Sequence, residues 1–266
     1  MIYVGIDDTD VIDSPGTNKL ARHLIENLGD TYRSVVAVRH QLLFDRRIPY
    51  TSKNSSASIL FQPLGIPQAF QARQAFQPDT RAEADRLDVR LESLTYSPMV
   101  QDLAARIRAI MRRWFVHGSD PGLCVTEHVP PEITSFGSRC KNEIVTQEDA
   151  RSLASRHGIY LEGLGGTEGG VIGALAAVGL IAGGNDGRVV SIGCWPDDLS
   201  GLQDVRTLHE RGVAEVRSIG PDAVIAEGMV DVGKHLRPNY RDGRVVLFVE
   251  PAAGSGQAAW RAVRLL

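Results

Sequence analysis

Three aspartates fall within four residues, Asp7-Asp8-Thr9-Asp10, directly after the apolar run Ile2-Tyr3-Val4-Gly5-Ile6. Carboxylates packed this densely repel one another, and a cation relieves the repulsion. A hard cation such as Mg²⁺ takes oxygen ligands, often one or two carboxylates together with substrate phosphates. The end of a strand is also where α/β sheets bind ligands. The same four residues serve equally well as a solvated turn, because Asp and Thr are common turn formers. A second candidate is the glycine-rich run 163–179, in which Gly165, Gly166, Thr167, Gly169, Gly170 and Gly173 lead into an apolar segment. Dense glycine lets backbone approach a phosphate, and the N–H groups that open a helix favour an anion. The run is neither a Walker loop nor a clean dinucleotide fingerprint. Gly169, Gly173 and Gly179 would serve close helix packing just as well. The third candidate is the loop 46–56. There Arg46, Arg47 and Lys53 supply cations, and Thr51, Ser52, Asn54, Ser55 and Ser56 supply small hydrogen-bonding groups. Phosphate recognition uses such groups, and so does an ordinary exposed hairpin loop.

Other polar residues carry less. His40 lies in a strand and reads as a core histidine with its bonds satisfied. His117, His128, His157 and His235 lack the spacing of a zinc site. Cys124 follows a Pro-Gly turn in an apolar strand and reads as a small buried hydrophobe. No GxSxG element supports a hydrolase triad. Asp197 and Asp198 read as a loop that offers at most a second acidic pair.

The elements that must position these groups are legible from periodicity. Residues 2–6 predict a strand. Leu20, Ala21, Leu24, Ile25 and Leu28 have helical spacing over Thr17–Leu28, with Thr17 as N-cap and Gly29 just past the end. Further strands are expected at 35–43, 57–61, 123–125, 189–192 and 245–249. Ser97-Pro98 opens a helix expected to run to His117. Thr146 with Asp149 gives a capping-box start to a helix stopping at Gly158. The glycine-rich run opens a short helix of small apolar residues. Residues 62–95 read as a connector, and 200–243 show no clear period. Strands and helices intermingle, so the class is α/β or α+β.

A chain of 266 residues makes one large domain or two modest ones at about 150 residues each. With 43% hydrophobic and 23% charged residues, disorder and fibrous repeats are excluded. Lys+Arg total 29 against Asp+Glu 32, net charge −3, so no whole-protein basic footprint for nucleic acid exists. Three dispersed cysteines argue against a disulfide framework and a zinc ribbon. The longest apolar stretch, Val171–Ala182, has 12 residues, whereas a membrane span needs about 20. No leader is legible at Met1, so a cytoplasmic protein is expected.

Several of these segments together resemble one family. Val4-Gly5-Ile6-Asp7-Asp8-Thr9-Asp10 followed by Gly16-Thr17 is similar to the opening of the archaeal tRNA-Ile2 agmatinylcytidine (agmatidine) synthetases. Ile48-Pro49-Tyr50-Thr51-Ser52-Lys53-Asn54-Ser55-Ser56-Ala57, then Asp120-Pro121-Gly122-Leu123, then the run 169–179 resemble later motifs, in the family's order. The resemblance covers about residues 1–195. It implies a mixed-sheet, kinase-like core combined with a ferredoxin-like domain, using ATP and Mg²⁺ to phosphorylate a tRNA cytidine that an amine, agmatine, then attacks. Carried over residue by residue, Asp7, Asp8 and Asp10 would hold Mg²⁺. Gly169 to Gly173, with Gly170 between them, would line the ATP site, and on the reading of the residues themselves the loop from Gly165, Gly166 and Thr167 onward would cradle the phosphates. Lys53 would take the place of a basic residue, with Arg47 beside it, and Thr17 would match a threonine that becomes phosphorylated. On this reading 1–115 is the kinase-like core and 116–266 a second α/β section, free to interleave with the first. The chain departs from the family at Val11-Ile12-Asp13-Ser14-Pro15 and at Asn18, and has no counterpart of the family's OB-fold and zinc ribbon. ATP chemistry therefore carries over better than tRNA recognition. The expectation is an Mg-ATP-dependent phosphotransferase or ligase acting on an unidentified acceptor, a small amine, a metabolite or tRNA. The alternative is a non-catalytic nucleotide- or partner-binding protein built on the same core.

Overall fold

The structure, a computed structural model, describes residues 1–11, 14–48, 54–65, 96–114, 116–195, 198–220, 223–252 and 258–265. Of the connector expected at 62–95, residues 62 and 63 belong to a strand that runs to Pro63, and 66–95 lie outside the described residues, as do the loop residues 49–53, including Lys53, and Asp13 and Asp197.

Strand β1 (Ile2–Asp7) organises the first half of the fold. It pairs antiparallel with β3 (Ser55–Pro63) on one edge and β4 (Gly122–Thr126) on the other. Antiparallel partners extend the sheet outward to β2 (Tyr32–Gln41) beside β3 and β5 (Tyr160–Gly163) beside β4. Beyond β2 the sheet continues through β6 (Arg188–Ile192), β10 (Asn239–Arg241), β11 (Arg244–Pro251), β12 (Trp260–Ala262), β9 (Met229–Asp231) and β7 (Leu202–Asp204), while β8 (Glu215–Ser218) pairs parallel with β11. Among the described residues the architecture is thus a mixed α/β fold on one 12-stranded sheet.

Side chains alternate across a strand, and β1 uses both faces. Ile2, Val4 and Ile6 enter a core with α1 (Thr17–Leu28) and α2 (Pro98–Trp114). The other face carries α3 (Pro131–Asn142), α4 (Gln147–Arg156) and α5 (Val171–Gly183), whose apolar residues form a second core. A third core joins Val36, Val38 and Leu60 to β6, β8, β9, β11 and the short α6 (Val205–Glu210).

Several local expectations shift by a residue or more. Gly16, not Thr17, is the N-cap of α1 and makes no side-chain cap bond. Thr17 lies in the first turn, with its hydroxyl turned to Asp10. β2 begins at Tyr32, whose fully buried ring places its hydroxyl 2.7 Å from Asp102. The Thr146–Asp149 capping box is formed. Helix α3 and strand β5 are not among the elements expected from the sequence. The buried positions of α3 are Ile133, Phe136, Gly137 and Cys140, and β5 is half-buried throughout. Among the described residues no helix is long and apolar enough to cross a membrane.

Candidate functional site

Glycines place the acidic turn. On the face of β1 toward α5, a Cβ on Gly5 would overlap the carbonyl oxygen of Ala174, so only glycine lets the helix lie directly on the strand. Two residues on, the same alternation delivers Asp7 to the first turn of α5, where a Cβ on Gly173 would overlap its carboxylate. Gly122, the cross-strand partner of Asp7, meets Gly170 backbone to backbone, and Gly179 meets the carbonyl of Ile133 in α3. The glycines at 170, 173 and 179 therefore serve close packing, and that packing brings the loop before α5 against the aspartates.

The result is a cleft of about 250 Å³, at the small end of ligand sites. Asp7, Asp8, Asp10 and Asp120 line it, with Glu143 at the rim. Thr17, Asn54, Ser55, Gln147 and Thr167 add hydroxyls and amides, and Leu42, Ile48, Ile144, Val145 and Ile172 form apolar wall. No lysine or arginine is among the described residues lining it. Burial, then the neighbouring Asp8 charge, pushes the Asp7 carboxyl up to about 8, against a bond from the Asp8 backbone that lowers it. Burial, then Asp120 and Asp10, pushes Asp8 to about 6. Asp8 also sits at φ +49, a left-handed conformation that costs most residues energy but that aspartate tolerates. Thr9 donates to Thr17 Oγ1 at 3.2 Å, and Thr17 donates to Asp10 at 3.1 Å, so a short hydroxyl relay ends on a carboxylate.

Asp120 reads in the sequence as a turn former beside Pro121-Gly122, and the fold gives it a second task. Its carboxylate accepts from the Thr167 amide at 2.8 Å and from the Thr167 hydroxyl, holding the glycine-rich loop down on the acidic turn. Gly166, at φ +60, leaves no room for a Cβ beside it. The loop amides are largely committed. Those of Glu168, Gly170, Val171, Ile172 and Ala174 all donate to backbone carbonyls.

Of the residues singled out in the sequence, the fold brings together Asp7, Asp8, Asp10, Thr17, Thr167, Gly169 and Gly173 around one cleft. Arg47 is elsewhere. Its guanidinium makes a two-bond pair with Asp45 at 2.9 and 2.8 Å and is largely exposed. Gly165, Gly166 and Gly170 support the cleft from behind rather than lining it. Asp120, Glu143 and Gln147 join it from elements far apart in sequence.

The chemistry of the donors fits Mg²⁺, since all are oxygens and the closest aspartates are held up by burial and mutual repulsion that a cation would remove. Among the described residues, however, no three His, Cys, Asp or Glu side chains stand ready as a metal centre. Any cation would draw the carboxylates together on binding.

A second constellation has the outline of a hydrolase triad. His40 Nε2 lies 2.7 Å from Ser58 Oγ and Nδ1 lies 2.8 Å from Asp186. Ser58 and His40 are both fully buried in the sheet, so no substrate reaches that hydroxyl. Lys141 closes the network by donating to Asp186 and to the Gln41 carbonyl. Burial pushes the His40 imidazole down and outweighs the pull of Asp186. For Asp186, burial raises the carboxyl, but the bonds from His40 and Lys141 leave it below the usual range. Burial pushes the Cys124 thiol well up, as befits the inert hydrophobe expected from the sequence.

No family model matches the chain, and no curated protein matches it. Solved structures do. A tRNA(Ile2) agmatidine synthetase in complex with tRNA(Ile2) and ATP is similar over 67% of this chain and 36% of its own, at 17% identity and TM-score 0.48. The same kind of enzyme with tRNA(Ile2), AMPCPP and agmatine matches over 66% and 35%, at 18% identity and TM-score 0.47. A tRNA fluorescent labeling enzyme matches over 67% and 35%, at 20% identity and TM-score 0.47. The chain thus spans about a third of the length of the structures it matches. The synthetases are the family whose motifs the sequence resembles.

Proposed function

We propose that the acidic cleft binds ATP with Mg²⁺ and that the protein is an ATP-dependent phosphotransferase or ligase. The observation that carries this reading is the convergence of Asp7, Asp8, Asp10 and Asp120 at the start of α5 with no lysine or arginine on the described lining. Four carboxylates repel a bare polyphosphate, so an anionic nucleotide enters only with its cation. Asp7, Asp8 and Asp10 would hold Mg²⁺, which when bound neutralises charge on the phosphates. Asp120 positions Thr167 and the glycine loop, and the apolar wall from Leu42 to Ile172 suits the face of a base. The Thr17 hydroxyl, oriented by Asp10, faces the same space and is the candidate acceptor for a phosphoryl group within the chain. Lys53 remains the proposed cation of the loop, since Arg47 is paired with Asp45.

The acceptor is proposed as an amine, a metabolite or an RNA base, of which a cationic amine suits an anionic cleft best. A second reading, binding without turnover, draws on the commitment of Arg47 to Asp45 and of the loop amides to carbonyls. The test is ATP titration with Mg²⁺ and with EDTA, followed by phosphate and AMP release for wild type and Asp8→Asn. Mg²⁺-dependent binding with turnover that Asp8→Asn abolishes supports the enzyme. Binding without turnover supports the alternative. Turnover unchanged in a folded Asp8→Asn overturns the site.

A further inference from the structure

Three hydroxyls belong to the described residues that line the acidic cleft, those of Thr17, Ser55 and Thr167. A hydroxyl has one proton to give and two lone pairs with which to accept. Thr17 gives its proton to Asp10, and Thr167 gives its proton to Asp120. Ser55 is placed differently. It opens β3 opposite Gln41 of β2, and Arg39 lies opposite Ala57 in the same register. Residues two apart along a strand share a face, so Arg39, Gln41 and Ser55 come together on one side of the sheet. Arg39 Nε donates to Ser55 Oγ at 3.1 Å, and its Nη2 donates to Gln41 Oε1 at 3.3 Å. The backbone around the serine is pinned as well. The Asn54 carbonyl accepts from Gln41 Nε2 at 2.6 Å and from the Leu42 amide at 2.9 Å, and Lys141 donates to the Gln41 carbonyl at 3.1 Å.

A guanidinium only donates. Its bond therefore occupies a lone pair of Ser55 and turns the serine proton away from the arginine. Among the described residues that proton meets no acceptor, and no carboxylate pairs with Arg39. Hydrogen bonds in a chain polarise one another, and those involving an ionised group are the strong ones. Ser55 is thus a strengthened donor, backed by a positive charge, in a cleft whose described lining has four aspartates and no lysine or arginine. The partner such a donor selects is an anionic oxygen.

We propose that Ser55 donates to a phosphate oxygen of the bound nucleotide and that Arg39 is the positioning residue behind it. The proposal rests on the nucleotide reading of the cleft and deepens it. The aspartates meet the polyphosphate through its cation, whereas Ser55 meets a phosphate oxygen directly. Arg39 never enters the cleft, and its charge acts through the serine oxygen.

The test is calorimetric titration of ATP and ADP, each with Mg²⁺, into the full chain. Wild type is compared with Ser55→Ala, Ser55→Thr, Arg39→Met and the variant carrying both Ser55→Ala and Arg39→Met, with urea midpoints to show that each is folded. Ser55→Ala should weaken ATP binding about tenfold or more, the loss for one hydrogen bond to a charged group. Ser55→Thr, which keeps the hydroxyl, should restore most of it. Arg39→Met should lose about as much as Ser55→Ala, and the double variant little more, because the two residues act as one donor. A loss for ATP alone places the contact on the terminal phosphate, and a loss shared by ADP places it on an inner one. If Arg39→Met folds poorly, the two serine variants still decide the contact. Mg²⁺-dependent ATP binding that Ser55→Ala leaves unchanged overturns this proposal and leaves the nucleotide reading standing. An equal loss in Ser55→Thr also overturns it, since the effect then comes from the shape of the wall. Additive losses in the double variant overturn the role of Arg39. No Mg²⁺-dependent ATP binding by the wild type overturns the proposal and the nucleotide reading together.

Discussion

Replacing Asp7 by asparagine should stabilise the metal-free protein, and the structure sets the size and pH window of the effect. The folded carboxyl titrates near 8 against 3.8 in a model peptide. Between those values the folded state holds a proton that the unfolded state has released, so stability falls as pH rises. The window from pH 6.5 to 8 is dominated by this group. Asp8, near 6, is largely ionised in both states above pH 6.5, and His40, kept neutral in the fold by burial, adds only a small opposite slope as its unfolded imidazole loses its proton just above pH 6.5. Each pH unit then costs about 1.4 kcal/mol. As the slope bends off near the folded pKa, the wild type should lose about 1.6 kcal/mol across the window. The amide introduced by Asp7→Asn cannot ionise in either state, so the slope vanishes and the variant gains up to about 4 kcal/mol at pH 7. Urea unfolding followed by circular dichroism at pH 6.5, 7, 7.5 and 8, in EDTA at constant ionic strength, reads both quantities. Repeating the wild-type series in Mg²⁺ should flatten its slope, because a bound cation removes the cost of ionising Asp7. A variant with the wild-type slope, or one that is destabilised throughout, would refute the argument from burial and repulsion.

Other expectations follow from single contacts. Gly5→Ala should cost about 3 kcal/mol, the upper end for overpacking, because its Cβ meets backbone rather than a mobile side chain; urea midpoints check it. Gly173→Ala pushes on the Asp7 carboxylate instead. It should cost about 1–3 kcal/mol and weaken Mg²⁺-ATP binding in the same calorimetry. Asp186→Asn strips a carboxylate from both His40 and Lys141 and should destabilise by about 2–3 kcal/mol, read from the same urea midpoints. Below pH 6.5 the unfolded chain protonates His40 while the folded chain resists, so stability falls on acidification through this residue. His40→Asn should remove that acid-side loss, seen as a shallower pH dependence of the urea midpoint.

The elements nearest the site are the most legible in the sequence, for a physical reason. β1, α1 and α5 are defined by apolar runs or helical spacing long enough to show their period, and the Thr146–Asp149 cap announces itself through side-chain chemistry. The segment 200–243 resists reading because its elements are three to six residues long, shorter than the windows over which periodicity speaks. Within the site, the local cluster Asp7-Asp8-Thr9-Asp10 is visible and the role of Asp120 is not. That role comes from the β1–β4 register, a long-range pairing that no local pattern encodes. The choice between phosphate cradle and packing at Gly170, Gly173 and Gly179 also turns on what lies opposite each glycine.

The position of β1 carries a consequence for the chain during its synthesis. This strand is made before every element it packs against, and its final cover, α5, follows more than 160 residues later. At translation speeds of about 5–20 residues per second, the face of β1 toward α5, which carries Tyr3 and Gly5, waits on the order of ten seconds or more for that cover. An apolar strand left open for that time invites pairing with other nascent chains. The acidic turn directly after it is a flanking charge block of the kind that keeps such strands from aggregating. The carboxylates that burden the finished fold would thus protect the unfinished one.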